Sequence, residues 1–142
     1  MYKKGKSYEE IGIGEKASFS KTITETDIYL FAGISGDFNP LHVDEEYAKT
    51  TIFGTRNAHG GLAASLLAPV LGTVAWETVT KFRKPVYPGD TVTCIVEVKS
   101  KIEKMKMIQM KILWTNQKGE MIGKGECKVL PPGFNIETVN YD

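Results

Sequence analysis

GGLAASLLAPVLGTV, residues 60–74, is small and apolar on nearly every position. A helix of that composition has no polar face to turn to water, so it has to be buried on most sides. Pro69 has no amide hydrogen to donate and predicts a kink inside it. Ser65, Pro69 and Thr73 interrupt the run, which falls short of the roughly twenty residues that cross a bilayer. The rest of the chain must therefore supply what covers this helix.

Downstream, the pattern changes to that of strands. Residues 78–86 read as a strand, and Pro88-Gly89-Asp90 as a turn. Residues 91–98 are rich in β-branched side chains. Residues 105–114 alternate with period two, Met105, Met107, Gln109, Lys111 and Leu113 on one side and Lys106, Ile108, Met110, Ile112 and Trp114 on the other. Asn116-Gln117-Lys118-Gly119 predicts a hairpin turn, residues 121–130 a returning strand, and Pro131-Pro132-Gly133 its end. The methionines at 105, 107 and 110 read as sheet packing. The tail to Asp142 reads as loose.

Upstream, residues 17–23 alternate as a half-buried strand does. Thr24 reads as an N-cap, with Glu25 and Asp27 in the first turn of a short helix that carries Ile28, Leu30, Phe31 and Ile34. Gly36 stops it. Residues 37–42 read as a loop, Asp44 as the cap of a second short helix through Tyr47 and Ala48, and residues 51–58 as loop. Antiparallel strands with one buried helix make an α+β architecture, and a curved sheet wrapped around the helix would cover it.

The whole chain, 142 residues, is expected to be a single domain with its core at about residues 17–131. With 42% hydrophobic and 25% charged residues and a net charge of +1, it has no basic stripe for nucleic acid and nothing that marks a membrane surface. No apolar segment follows the basic start, so no signal peptide is expected. Cys94 and Cys127 lie far apart and read as buried thiols in a reducing cytoplasm. The two histidines, His42 and His59, would need a carboxylate or cysteine to hold zinc, and no metal-ligand spacing is visible. No metal is expected.

Asp37 and His42 lie five apart in a loop stiffened by Pro40 and carrying Asn39. A carboxylate and an imidazole together can hold one water and move its protons. From spacing alone, a turn with a capping aspartate and a half-exposed histidine is the commoner arrangement. The surrounding string decides between them. FAGISGDFNPLHVDEEYA at 31–48 resembles the signature of the MaoC-like R-specific enoyl-CoA hydratases. AHGGLAAS at 58–65 and RKPVYPGD at 83–90 resemble the same family, in the family's order.

The resemblance implies a hot-dog fold, a curved antiparallel sheet wrapped around a long central helix that begins near Gly60. It implies a homodimer or an assembly of dimers. It implies reversible hydration of trans-2-enoyl thioesters to (R)-3-hydroxyacyl thioesters in fatty-acid metabolism, with Asp37 and His42 catalytic and Ser65 supporting the site. The substrate would be an acyl-CoA or an acyl-carrier-protein thioester, with no metal or redox cofactor. His59, Gly60 and Gly61 are either a flexible entry turn or the amides that meet the thioester oxygen as it gains enolate character. Asn39 is placed with this substrate-binding set. Ser65 by itself reads as a small residue for close packing. Arg83 and Lys84, with Lys81, are either a solvated strand face or contacts to CoA phosphates or an acidic carrier protein. Two departures stand out. Gly61 occupies a position where the family commonly has methionine, which predicts more room or more flexibility beside the thioester, and the connection from the buried helix to the next strand is short.

Two other readings compete. A hot-dog thioesterase would carry a carboxylate on or beside the central helix, and residues 60–76 contain neither Asp nor Glu. A non-catalytic acyl-thioester-binding module would need an output domain, for which no room is expected before residue 17 or after 131.

Overall fold

Period-two burial builds the middle of the sheet. A computed structural model describes residues 5–134; the basic start at 1–4 and the tail at 135–142 lie outside the described residues. The strand β3 (Thr91–Ile102) buries Val92, Cys94, Val96 and Val98 and turns the intervening residues outward. The strand β4 (Met107–Thr115) buries Ile108, Met110, Ile112 and Trp114 in the same way. With β1 (Lys16–Thr22), β2 (Val74–Phe82) and β5 (Met121–Leu130) they form one antiparallel sheet in the order β1-β3-β4-β5-β2. Register shifts fall between Ala75 and Glu77, between Val98 and Ser100, and between Trp114 and Thr115. Such irregularities bend a strand and raise its twist, which curves the sheet. The β4–β5 hairpin turns at Asn116, whose side-chain oxygen accepts from the amides of Lys118 and Glu120.

The helix α1 (Glu25–Ser35) starts in a full capping box: Thr24 accepts from the Asp27 amide and the Asp27 side chain accepts from the Thr24 amide. It ends at Gly36, φ 77°, a left-handed conformation that favours glycine. Ile28 and Ala32 are buried, whereas Leu30 and Ile34 are 60% and 84% exposed. The expected apolar stripe is therefore only half used inside the chain. Residues 37–42 are not all loop: Asn39 caps a one-turn helix, α2 (Pro40–Val43), by accepting from the Leu41 amide. Asp44 caps α3 (Glu45–Lys49) through the Tyr47 amide.

The expected long central helix is instead two short ones, α4 (Gly60–Ser65) and α5 (Ala68–Leu71), separated by Leu66 and Leu67. Pro69 cannot donate back to the Ser65 carbonyl, and its ring crowds that turn. The Leu66 and Leu67 amides tighten to three-residue bonds with Ala63 and Ala64. Burial is also one-sided. Leu62, Ala63, Leu66, Leu67 and Leu71 join Val92, Val96, Ile108, Ile112 and Val129 in one core, while Gly61, Ser65, Ala68 and Pro69 face outward. Within the single chain the sheet covers one side of the helix. Val74 already belongs to β2, which pairs with β5 from Leu130 onward, and β2 ends at Phe82 rather than running to residue 86. Beyond it, the Arg83 and Lys84 amides both bond the Ile122 carbonyl. The core extends upstream of residue 17, because Tyr8 is buried in it and Ile11 packs against it. Cys94 and Cys127 are both free and buried. Among the described residues no helix is long and apolar enough to cross a membrane.

Candidate active site

Asp37 leaves the C-terminus of α1 through a relay of local bonds. Ser35 Oγ donates to the Phe31 carbonyl and accepts from the Asp37 amide. Asp37 Oδ1 accepts from the Asn39 amide at 3.1 Å. One carboxylate oxygen is thus held, and Oδ2 is free to face the next residue of interest. His42 sits in α2 and is buried, not half exposed. Its Nδ1 lies 2.7 Å from the Asn57 carbonyl oxygen. A carbonyl only accepts, so Nδ1 carries the proton and Nε2 of the neutral ring is a lone pair. That Nε2 lies 3.9 Å from Asp37 Oδ2.

Two acceptors at that spacing make no direct hydrogen bond. One water, roughly 2.8 Å from each, can donate a proton to both. The side chains divide the labour by exposure: His42 is 11% accessible and Asp37 51%. The carboxylate keeps access to solvent while the imidazole is fixed against the fold.

His59, placed with the substrate-binding set by sequence, lines the cavity and also holds the Asp37 backbone. Its Nε2 donates to the Asp37 backbone carbonyl at 2.9 Å. Its ring stacks on His42 with centroids 3.9 Å apart and meets Phe31 at 5.0 Å. Asp37, His42 and His59 each offer a ligand atom within 4.8 Å of the others, a carboxylate and two imidazoles that spacing along the chain did not bring together.

The loop that delivers Asn57 and His59 is tied down by Arg56 and Glu45. Glu45 accepts from the Thr55 hydroxyl and from the Arg56 amide and Nε. Arg56 also reaches Glu25 and the Tyr29 hydroxyl on α1. The Thr55 hydroxyl first, then the Arg56 amide, hold the Glu45 carboxyl below its usual range. Sequence reasoning passed over Arg56, Glu45 and Asn57. Their partners lie 11, 15 and 31 residues away, beyond any local motif.

The remaining candidates separate. Gly60 lies with His42 and His59 in the wall of a cavity of about 330 Å³, as do Arg83 and Lys84. Lys84 is paired with Glu120 at 2.8 Å. Lys81 lies apart, in a groove with Lys16, Glu97 and Lys111. Gly61 and Ser65 share an outward face, and the Ser65 hydroxyl donates to the Leu62 carbonyl at 2.6 Å. The room expected beside Gly61 is taken by Phe31, whose Cζ would lie 3.0 Å from a Cβ there. Asn39 spends its side-chain oxygen on the α2 cap.

Comparison with known proteins gives this geometry a setting. Residues 9–118 match the MaoC like domain. The chain is 43% identical over 132 residues to an (R)-specific enoyl-CoA hydratase of Rhodospirillum rubrum, covering 88% of this chain and 91% of that one. It is 34% identical to an (R)-specific enoyl-CoA hydratase of Aeromonas caviae, covering 89% and 99%. Its fold superposes on the R-hydratase PhaJ1 of Pseudomonas aeruginosa with a TM-score of 0.81 at 36% identity, covering 89% and 85% of the two chains. The α+β architecture is thus the hot-dog fold, here with its central helix broken at Leu66 and Leu67. On its sequence, its sheet order and its Asp37–His42 loop, the chain belongs to the MaoC-like family.

Proposed function

We propose that this protein adds water across the α,β double bond of a trans-2-enoyl thioester, giving the (R)-3-hydroxyacyl thioester, and catalyses the reverse dehydration. The observation that carries the reading is the pair of acceptors, Asp37 Oδ2 and His42 Nε2, set 3.9 Å apart with the His42 tautomer fixed by the Asn57 carbonyl. A water donating one proton to each turns its oxygen lone pair toward C3. As the oxygen attacks, the pair takes up one proton, and a proton returns from it to C2. The negative charge gathers on the thioester oxygen, and the amides of Gly60 and Gly61 are the proposed donors there. Asp37 and His42 share the acid and base roles as a unit. The (R)-specific hydratases at 43% and 34% identity support this substrate class and stereochemistry. The acyl group would be carried by CoA or by an acyl carrier protein, and exposed Arg83 at the cavity mouth suits the phosphates of either.

The test is the loss of enoyl absorbance with crotonyl-CoA. Asp37→Asn keeps an oxygen for the Asn39 amide at a half-exposed position, so the fold survives. The rate is expected to fall on the order of 10²–10⁴-fold. Full activity in that variant would remove Asp37 from the chemistry.

The working unit is a dimer, in this proposal. Among the described residues β2 is an end strand of the sheet, with Val74, Val79 and Phe82 about half exposed, and Gly61, Ser65 and Ala68 face outward from the helices. Such an edge invites a second strand. Light scattering after gel filtration should give twice the chain mass, and a monomer would exclude the pairing. The chain is read as one domain, and its two unpaired thiols suit a reducing cytoplasm.

A further inference from the structure

Arg56 lies one residue before Asn57, whose carbonyl oxygen accepts from His42 Nδ1 at 2.7 Å. Its charged side chain is only 17% accessible. The guanidinium spends its donors in three directions. Nε reaches Glu45, the first residue of α3, at 3.1 Å, and the Arg56 backbone amide bonds the same carboxylate oxygen at 3.1 Å. The two amino groups reach Glu25 and the Tyr29 hydroxyl in the first two turns of α1. α1 ends just before Asp37, and α3 follows α2, which carries His42. One side chain thus joins the element that leads into Asp37, the element that follows His42, and the loop that presents Asn57. The peptide between Asn57 and Ala58 is fixed on its far side, where the Ala58 amide donates to the Val86 carbonyl at 2.7 Å. The backbone bond back toward α2 is long, 3.4 Å from the Asn57 amide to the Leu41 carbonyl. Arg56 and its two carboxylates supply the firmer tie across that gap, with charge-assisted bonds from a rigid fork.

The tie matters because two acceptors compete for the His42 proton. The Asn57 carbonyl holds it on Nδ1. Asp37 Oδ2, 3.9 Å from Nε2, is a charged and stronger acceptor, and would hold the proton on Nε2 after a small approach. In that second tautomer the pair closes into a direct hydrogen bond and no longer offers two lone pairs to one water. We propose that Arg56 is a positioning residue: by holding the Asn57 loop against α1 and α3, it keeps the imidazole proton on Nδ1 and the gap between Asp37 and His42 open. The proposal rests on the hydratase reading for what the open gap does, whereas the tautomer is a property of the folded chain alone.

The chain has two histidines, and their partners assign them opposite tautomers, Nδ1–H for His42 and Nε2–H for His59. Two-bond proton–nitrogen correlation spectra of the isotope-labelled full chain read both rings directly at about pH 8.5, where an ordinary imidazole is neutral. The native protein is expected to show one ring of each kind. In Arg56→Gln, which removes the charge and the fork, both rings are expected to carry the proton on Nε2. Crotonyl-CoA hydration by the same samples should fall roughly 10- to 100-fold in kcat, with KM changed by less than about threefold. Each variant is first required to melt cooperatively. If Arg56→Gln does not, Glu25→Gln is read by the same two criteria, since it cuts only the arm to α1 at a residue that is 57% accessible. A native ring pattern in the folded variant, or two Nε2–H rings in the native chain, overturns the proposal. So does a switch of tautomer that leaves kcat within twofold of native. If the native chain does not hydrate crotonyl-CoA, the rings alone decide. A switch on loss of Arg56 then keeps the positioning role and removes the reaction, and hydration with unswitched rings does the reverse.

Discussion

Replacing His59 with phenylalanine tests whether the gap between Asp37 and His42, where the proposed chemistry takes place, is held from behind. Phenylalanine preserves an aromatic ring for the stack on His42 and the contact with Phe31. It removes the Nε2–H bond to the Asp37 carbonyl, worth about 1 kcal/mol net. It also removes Nδ1, a buried nitrogen with no partner among the described residues, which offsets part of that loss. Stability should therefore change by at most about 1 kcal/mol. The catalytic effect is larger because geometry amplifies it. The two acceptors stand 3.9 Å apart. A single water reaches both only while they are within about 5.6 Å, twice a normal O–H···O distance. An outward drift of Asp37 by less than about 2 Å breaks the bridge, and a displacement of about 1 Å can already cost 10²-fold. Steady-state kinetics on crotonyl-CoA should show kcat reduced roughly 10- to 100-fold with KM changed little. His59→Gln, which offers an amide N–H in place of the ring donor, should recover part of the loss. A His59→Phe protein that melts as the native one does and keeps kcat within twofold would refute the bracing role.

Two further outcomes follow from burial and charge. Burial pushes the Cys94 and Cys127 thiols up to about 12, so neither forms thiolate at neutral pH; the native protein should resist Ellman's reagent and release two equivalents per chain in guanidinium, and rapid native labelling would contradict the described core. The Lys21 ammonium first, then the Thr24 amide, hold the Asp27 carboxyl below its ordinary 3.8; a depressed carboxylate stabilises the fold above its unfolded value and loses that contribution as pH falls through the folded one, so Asp27→Asn should lower the melting temperature at pH 7, and the gap to the native protein should close progressively as melts are taken below pH 3.8.

Much of the molecule was legible along the chain because its determinants are local. Thr24 and Gly36 bound α1 through bonds within a few residues, and period two placed Val92, Cys94, Val96 and Val98 on one face. The motif at 31–48 singled out Asp37 and His42, and the family comparison agrees with the resemblance it carried. The errors have local and global causes. The residue pattern marked Pro69 as a kink but not as a break, since the outcome depends on how the turn before it redistributes its hydrogen bonds. Composition marked residues 60–74 as buried on most sides, but could not say that the sheet of one chain covers one side and leaves Gly61, Ser65 and Ala68 outward. Val74 became strand because β5 offered it Leu130 as a partner, a pairing that its place after a small apolar run did not announce. Only the tertiary structure chose the tautomer of His42, because its partner carbonyl at Asn57 lies 15 residues away. Only it set the His59 ring against the Asp37 carbonyl and gathered Asn57, His59 and Trp114 around one cavity. The physical reason is the same throughout: backbone conformation and burial period are written in neighbouring residues, whereas hydrogen-bond partnership among buried side chains exists only once distant segments have packed together.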